Sequence, residues 1–220
     1  MPVLAAVWSP DPRALELSRK NRWIETGFLI VHGLGGSGPD HWQTWLAGRL
    51  ADRGHSVAYP NLPDPESPSL ESWCRTLAGE LNALTAPPVV VCHSLGAITW
   101  LHLAAREGRT LAARTLLVAP PSAGAGVAEI AEFVPPPLDR GAVARTAGTT
   151  RMVCAPAGDP YCPEGARDLY GSPLGIPVDE IPGGAHLNPD AGYGAWPAVE
   201  RWCRNPAAVP IEGRSDGDLA

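Results

Sequence analysis

One short segment constrains the fold of this chain more than any other. A Pro-bounded apolar run at residues 87–91 leads directly into the letters CHSLGAI at residues 92–98. The apolar run predicts a buried strand and the following stretch is typical of a helix, so Ser94 lies where a strand turns sharply into a helix. Gly96 follows two positions later, and this arrangement indicates a nucleophile elbow, in which the turn pushes the serine hydroxyl out of the sheet. The usual pattern is G-x-S-x-G, and this chain departs from it with Cys92 at the first position.

An acid and a histidine follow the serine in the order expected after such an elbow. Residues 150–155 predict a second, short buried strand, and Asp159 lies in the loop that leaves it. Residues 176–181 predict the next strand, which enters a glycine-rich loop that ends at His186. Each of the three side chains is therefore expected at the carboxyl end of a strand, and they are predicted to be the catalytic residues.

A glycine-rich loop near the start of the chain predicts the groups that would stabilise an oxyanion. The apolar run at 27–31 ends in HGLGGSG, residues 32–38. Four glycines let backbone N–H groups turn towards a bound carbonyl without interference from Cβ atoms. The expected donors are the N–H groups of Leu34 and Leu95. A phosphate-binding loop is the competing interpretation, but the segment matches neither G-x-x-x-x-G-K-[ST] nor G-x-G-x-x-G.

Strands and helices alternate along the chain, which favours an α/β fold with a single doubly wound, mostly parallel sheet and helices on both faces. The other predicted elements are helices at 41–53, 69–84 and from the elbow to about 107, and strands at 56–59 and 115–119. We expect an N-terminal extension at 1–25, one domain at 26–204 and a disordered tail at 205–220. A chain of 220 residues suits one such domain.

Residues 120–149 admit two interpretations. A small cap could place Phe133, Val134 and Leu138 along an apolar wall for an acyl group. Alternatively, an ordinary crossover helix at 127–133 could be followed by a turn at the three consecutive prolines 135–137. Tyr161 and Trp196 are further candidates for the pocket, although either could equally belong to the core.

Four segments together resemble a known family. They are HGLGGSGPDHWQTWL at 32–46, HSLGA at 93–97, AGDPYCP at 157–163 and GGAHLNPDAGYGAWP at 183–197. They are similar to the small serine hydrolases related to retinoblastoma-binding protein nine, within the α/β-hydrolase superfamily, and the resemblance spans about residues 26–203. It implies an α/β-hydrolase fold without a large lid. It also implies that Ser94 is the nucleophile, His186 the general base and Asp159 its orienting acid.

Several other residues have competing roles. Asp179 and Asp190 are rival acids, but neither occupies the strand exit that Asp159 does. Cys92 is a rival nucleophile, but we expect it to be buried beneath the elbow, where a thiol is inert. His32 is expected to bond the backbone of its loop and His41 to anchor that loop to the following helix, whereas His93 is expected to point away from the serine.

Composition excludes several functional classes. The net charge is −6 and basic residues are scattered, so nucleic acid is not an expected partner. No apolar run approaches the roughly 20 residues that span a membrane, and no signal pattern opens the chain. The five cysteines match no zinc or C-x-x-C spacing, which predicts free thiols in a reducing cytoplasm. Sixteen arginines against one lysine indicate a GC-rich bacterial genome.

The sequence thus predicts a cofactor-independent, carboxylesterase-like enzyme that acts on a small-molecule acyl substrate through an acyl-enzyme. An acyltransferase, a cyclase or a thioesterase could use the same three residues. A protein-binding module on the hydrolase scaffold is the alternative from another class, but the chain lacks an L-x-C-x-E motif. No oligomeric state and no particular ester, thioester, amide or lactone follows from the sequence.

Overall fold

The chain forms one parallel sheet with helices on both faces, as the sequence predicted. A computed structural model describes residues 27–205, 207 and 210–214, so the predicted N-terminal extension lies outside the described residues. The strands are β1 (Phe28–Val31), β2 (Val57–Ala58), β3 (Val89–His93), β4 (Ala112–Val118), β5 (Ala147–Cys154) and β6 (Val178–Glu180). The main helices are α1 (Trp42–Asp52), α2 (Leu70–Ala83), α3 (Leu95–Arg106), α4 (Arg140–Thr146) and α5 (Pro197–Arg204). Shorter helical turns are Ala123–Ala125, Ala128–Ile130, Arg167–Gly171, Ser172–Leu174 and Pro189–Ala191.

The six strands form one sheet in the order β2-β1-β3-β4-β5-β6, and every pairing is parallel. The chain leaves β1 towards β2 on one side, whereas β3 and all later strands lie on the other side. In open parallel sheets, ligands bind at the carboxyl ends of the strands where the strand order reverses in this way. The loops after β1 and β3 therefore flank the expected binding crevice, and these loops carry the glycine-rich segment and Ser94.

Helices cover both faces of the sheet. Alternate residues of β1 point to opposite faces, as the pleat requires: Leu29 and Val31 join one buried cluster, and Phe28 and Ile30 join the other. The first cluster includes apolar residues of α2, α3 and α4, and the second includes those of α1 and α5. The central strands are consequently buried on both sides, which explains their uninterrupted apolar sequence.

The segment at 120–149 differs from the predicted crossover helix. Residues 127–133 contain only the short turn Ala128–Ile130, and the regular helix α4 begins after the prolines. Gly126 adopts a left-handed conformation at φ 65° before this turn, and the consecutive prolines follow it. Because glycine and proline both disfavour a helix interior, only short turns form before α4.

Residues 210–214 of the C-terminal tail contact the last strand and the loop before α5. Ile211 is buried, its N–H donates to Asp179 Oδ2 at 2.9 Å, and the Glu212 carbonyl accepts from Trp196 Nε1 at 2.9 Å. An apolar side chain and two hydrogen bonds thus hold this piece against the edge of the sheet.

In the described part of the chain, no helix combines the length and the apolar character needed to cross a membrane.

Candidate active site

Ser94 occupies the sharp turn between β3 and α3, with φ 52° and ψ −126°. Such a backbone is strained for a residue with a side chain and persists only where its surroundings hold it. The Ser94 N–H donates to the Val118 carbonyl at 2.9 Å. Glycines permit the close approach around the turn: a Cβ on Gly33 would lie 2.7 Å from Ser94 Cβ, and one on Gly96 would lie 2.5 Å from the His32 carbonyl oxygen.

Cys92 takes the place of the first glycine without disturbing the elbow. It lies in β3, and its side chain is fully buried in the same apolar cluster as α3. Burial raises the pKa of the Cys92 thiol far above its usual range. The thiol therefore remains protonated and has no access to a ligand, as expected of a structural cysteine.

The three residues predicted to be catalytic meet at the carboxyl end of the sheet. His186 Nε2 lies 2.9 Å from Ser94 Oγ. On the other side of the ring, His186 Nδ1 lies 2.9 Å from Asp159 Oδ1 and 3.0 Å from Asp159 Oδ2. Asp159 and His186 are each only 5% exposed, and Ser94 is 9% exposed.

The hydrogen bonds determine which nitrogen of His186 carries the proton. An ionised carboxylate can only accept, so Nδ1 must donate to Asp159 and Nε2 of the neutral ring is left with its lone pair towards the serine hydroxyl. The Tyr161 N–H also donates to Asp159 Oδ1, at 2.9 Å, which fixes the orientation of the carboxylate. This arrangement can take a proton from Ser94 and stabilise the resulting imidazolium.

His32 orients the peptide that would supply one oxyanion donor. Leu62 N–H donates to His32 Nε2 at 2.9 Å, so His32 Nδ1 carries the proton and donates to the Gly33 carbonyl at 2.7 Å. In a trans peptide the C=O and the following N–H point in opposite directions, so the N–H of Leu34 faces away from His32. That N–H has no acceptor among the described residues. Leu95 is the first residue of α3, where an N–H has no partner within the helix.

A cavity of about 310 Å³ opens over Ser94. Its volume is at the lower end of the roughly 300–1,000 Å³ typical of small-molecule sites. The apolar part of its lining is Leu34, Pro121, Val127, Ile130 and Tyr161, and the polar part includes His41, His93, Asn188 and Asp190 beside Ser94 and His186.

Of the five residues predicted to line the pocket, only Tyr161 does so. Its ring centroid lies 4.4 Å from that of His186. Phe133 is fully buried against Trp73, and Trp196 is fully buried in the apolar cluster on the α1 side of the sheet. Leu138 is 41% exposed and lies outside the cavity. Phe133 and Trp196 lie outside the cavity because they pack in the core, and Val134 packs against the core beside Phe133. Leu138 lies outside it because its side chain faces solvent.

Comparison with known proteins assigns the family. The family model described as serine hydrolase matches residues 28–205. The chain belongs to the serine hydrolase family. This finding confirms the family-level prediction, and the matched range includes Ser94, Asp159 and His186.

Individual relatives of this serine hydrolase agree with that assignment. The hydrolase YdeN of Bacillus subtilis is 39% identical over 67 residues, which is 30% of this chain and 35% of the relative's length. The crystal structure of the B. subtilis ydeN product has a TM-score of 0.72 at 24% identity, covering 81% of this chain and 97% of the other. A YdeN-like hydrolase from Pectobacterium atrosepticum has a TM-score of 0.61 at 20% identity, covering 86% and 92%. A pyrethroid hydrolase from Sphingobium faniae has a TM-score of 0.59 at 16% identity, covering 84% and 99%.

Within the described residues, neither rival acid of the serine hydrolase contacts His186. Asp179 pairs with Arg151 at 2.6 Å and lies away from the cavity. Asp190 is exposed at the cavity wall and makes no hydrogen bond to His186 among the described residues.

His41 anchors the glycine-rich loop to α1, since its Nδ1 accepts from the Gln43 N–H at 3.1 Å. Within residues 27–205, 207 and 210–214, no three histidine, cysteine or acidic side chains are grouped so that they could hold a metal ion.

Sequence reasoning missed most of the cavity wall. Pro121, Val127 and Ile130 come from the irregular segment after β4, where no periodicity marks which side chains face a site. Asn188 and Asp190 lie just after His186 in the segment GGAHLNPD, and this nearness to the histidine was the signal that could have placed them at the cavity. The short segment after β4 thus contributes Pro121, Val127 and Ile130 to the cavity wall.

Proposed function

We propose that this protein is a carboxylesterase-like hydrolase that cleaves a small acyl ester through a covalent acyl-enzyme. The observation that supports the proposal is the linear hydrogen-bonded series Ser94–His186–Asp159 at the floor of a cavity with apolar and polar walls. A serine–histidine–acid series in this order is the arrangement that activates a hydroxyl for attack on an acyl carbon.

In the proposed reaction, Ser94 Oγ forms a bond to the acyl carbon while its proton moves to His186 Nε2. The carbonyl electron pair moves to oxygen, and the N–H groups of Leu34 and Leu95 stabilise that oxyanion. Loss of one such donor typically raises the barrier by about 3–4 kcal/mol. The tetrahedral species then collapses, the C–O bond to the alcohol breaks, and His186 gives its proton to the leaving oxygen.

Water then releases the acyl group from Ser94, and His186 again acts first as a base and then as an acid. His186 takes a proton from a water molecule as the water oxygen attacks the acyl carbon. Collapse of the second tetrahedral species breaks the bond to Ser94, and His186 returns the proton to Ser94 Oγ. The products are a carboxylic acid, an alcohol and the original enzyme.

The small cavity supports a short acyl group. Pro121, Val127 and Ile130 supply an apolar wall within reach of Ser94, and the cavity volume of about 310 Å³ limits what fits. We therefore propose a neutral ester with a short acyl chain as the substrate class. We also propose a cytoplasmic location, because all five cysteines are buried free thiols, as is usual in a reducing compartment.

Reaction with a fluorophosphonate serine probe tests the proposal. Wild-type protein should gain one adduct by intact mass and should hydrolyse p-nitrophenyl acetate and butyrate faster than the octanoate. Ser94→Ala should gain no adduct and show no hydrolysis above background. A folded wild-type protein without an adduct would contradict the proposal and favour the protein-binding alternative. Added alcohol acceptors distinguish the transferase alternative, since ester products in excess of acid would show acyl transfer.

A further inference from the structure

The loop that carries His186 is held in a conformation that side chains normally avoid. The residues on either side of the histidine, Ala185 and Leu187, have φ values of 45° and 51°, and neither is glycine. Backbone of this kind persists only where neighbouring groups hold it, and it occurs preferentially at functional sites. The groups that hold these two positions therefore also determine where the imidazole lies.

Two buried ring N–H groups meet the carbonyls of this loop. His93 Nε2 lies 3.0 Å from the carbonyl oxygen of His186, and Trp42 Nε1 donates to the carbonyl oxygen of Leu187 at 2.8 Å. His93 is 4% exposed and Trp42 is fully buried. Their rings also contact each other edge to face, with centroids 5.7 Å apart, so the two donors form one rigid support beneath the loop.

The protonation of His93 follows from its surroundings. Burial, with smaller contributions from the nearby His186 and His41, lowers the pKa of His93 well below its usual value. The ring is therefore neutral and carries one proton. A carbonyl oxygen can only accept, so that proton is on Nε2. His93 thus acts as a fixed donor to the main chain of His186.

We propose that His93 and Trp42 are positioning residues for His186. Their N–H groups hold two consecutive carbonyls of its loop and so keep the imidazole within hydrogen-bonding distance of Ser94. The inference rests on the proposed function. It gives His93 a role distinct from that of Asp159: the acid fixes the rotation of the ring, whereas His93 and Trp42 fix the backbone that carries it.

The position of His93 in the chain makes this support direct. His93 is the last residue of β3, a strand buried on both faces, and Ser94 follows it immediately. The same short segment therefore carries the nucleophile and anchors the base. Movement of the His186 main chain away from the end of β3 requires that the hydrogen bond to His93 be broken.

Four variants test the proposal, with the rate of fluorophosphonate labelling at Ser94 as the readout. His93→Leu removes the donor and keeps an apolar side chain, whereas His93→Gln places an amide N–H near the original Nε2. Trp42→Phe keeps an aromatic ring and removes the donor to Leu187. His102→Leu is the matched control, because His102 Nε2 makes the same kind of contact, at 2.8 Å, to the Phe133 carbonyl outside the loop.

We expect the maximal labelling rate of His93→Leu to fall by about 10- to 100-fold, with probe affinity changed by less than about threefold, because a displacement of about 1 Å can cost 100-fold in rate. Trp42→Phe should change in the same direction. His93→Gln should recover to within about threefold of wild type, and His102→Leu should label at the wild-type rate. A loss of packing alone would not be rescued by glutamine.

Circular dichroism and thermal unfolding establish which variants are folded. A folded His93→Leu variant that labels at the wild-type rate would overturn the proposal, as would a His93→Gln variant as slow as His93→Leu. Where His93→Leu does not fold, Trp42→Phe decides, and labelling at the wild-type rate again overturns it. Failure of the wild-type protein to label would refute the proposed function itself, an outcome that none of the variant comparisons can produce.

Discussion

Replacing Asp159 by asparagine should reverse the tautomer of His186. Oδ1 of Asp159 accepts from both the Tyr161 N–H and His186 Nδ1, whereas Oδ2 contacts only His186, at 3.0 Å. The asparagine oxygen should therefore stay at the Oδ1 position and its amide group should take the Oδ2 position. That amide donates to Nδ1, so the proton of the imidazole moves to Nε2, where it faces Ser94. A protonated Nε2 cannot accept the serine proton.

The expected loss is large because the base is lost while the geometry is kept. We expect kcat on p-nitrophenyl acetate to fall by about 10⁴-fold, the loss seen when the triad aspartate of a serine protease is replaced in this way. That loss corresponds to about 5.5 kcal/mol in the barrier. The assay is ester hydrolysis at pH 7, with ¹⁵N spectra of the imidazole to identify the tautomer.

Asp179→Asn is the matched control for this substitution. Asp179 is a half-buried carboxylate in β6 that pairs with Arg151 and not with His186. We expect this variant to lose stability and to keep its kcat per folded molecule. An Asp159→Asn variant that keeps more than about a tenth of wild-type kcat, or an Nδ1-protonated ring in that variant, would refute the reasoning.

Three further predictions concern the elbow, the cavity wall and a buried histidine. Gly33→Ala should lower kcat/KM by about 100-fold or more, because the new Cβ would lie 2.7 Å from Ser94 Cβ; ester kinetics of the folded variant within threefold of wild type would contradict this. Ile130→Ala should raise the ratio of octanoate to acetate hydrolysis by roughly 10-fold, because it widens the apolar wall; an unchanged ratio would show that Ile130 does not limit acyl length. Burial lowers the pKa of His41 to about 4. At this site the unfolded chain therefore binds more protons than the folded protein between about pH 4 and 6.5, and His41 should contribute about 2 kcal/mol to the stability that urea unfolding shows to be lost between pH 7 and pH 5. His41→Asn, which keeps a helix-capping side chain, should be less sensitive to pH, and an equal loss in both proteins would exclude His41 as the cause.

The strands and the positions of Ser94, Asp159 and His186 were predictable because each depends on local sequence. Parallel strands buried on both faces are continuous apolar runs, and β3 and β5 differ from their predicted bounds by only a few residues. Ser94 and Asp159 each follow such a strand, and His186 follows the short edge strand β6. The topology of a parallel sheet brings strand exits together, so their convergence follows once the strands are known.

The cavity wall was not predictable, because it depends on how an irregular segment packs. Phe133 and Trp196 are large and apolar, and such residues fit a substrate wall or a core equally well in sequence. The structure buries Phe133 against Trp73 and leaves the smaller Val127 and Ile130 at the cavity. No periodic pattern in a segment of short turns distinguishes these outcomes.

The two ends of the serine pentapeptide are under unequal geometric demands. At residue 96 any side chain would run into the main chain of the β1 loop, whereas at residue 92 the side chain enters an apolar cluster that could adjust to it. Evolution can therefore vary the first position among small and medium apolar residues at the cost of core repacking alone, but it cannot vary the last. A search that requires glycine before the serine would overlook enzymes of this design. A search that requires the glycines at positions 96 and 33, and allows other residues at position 92, would retain them.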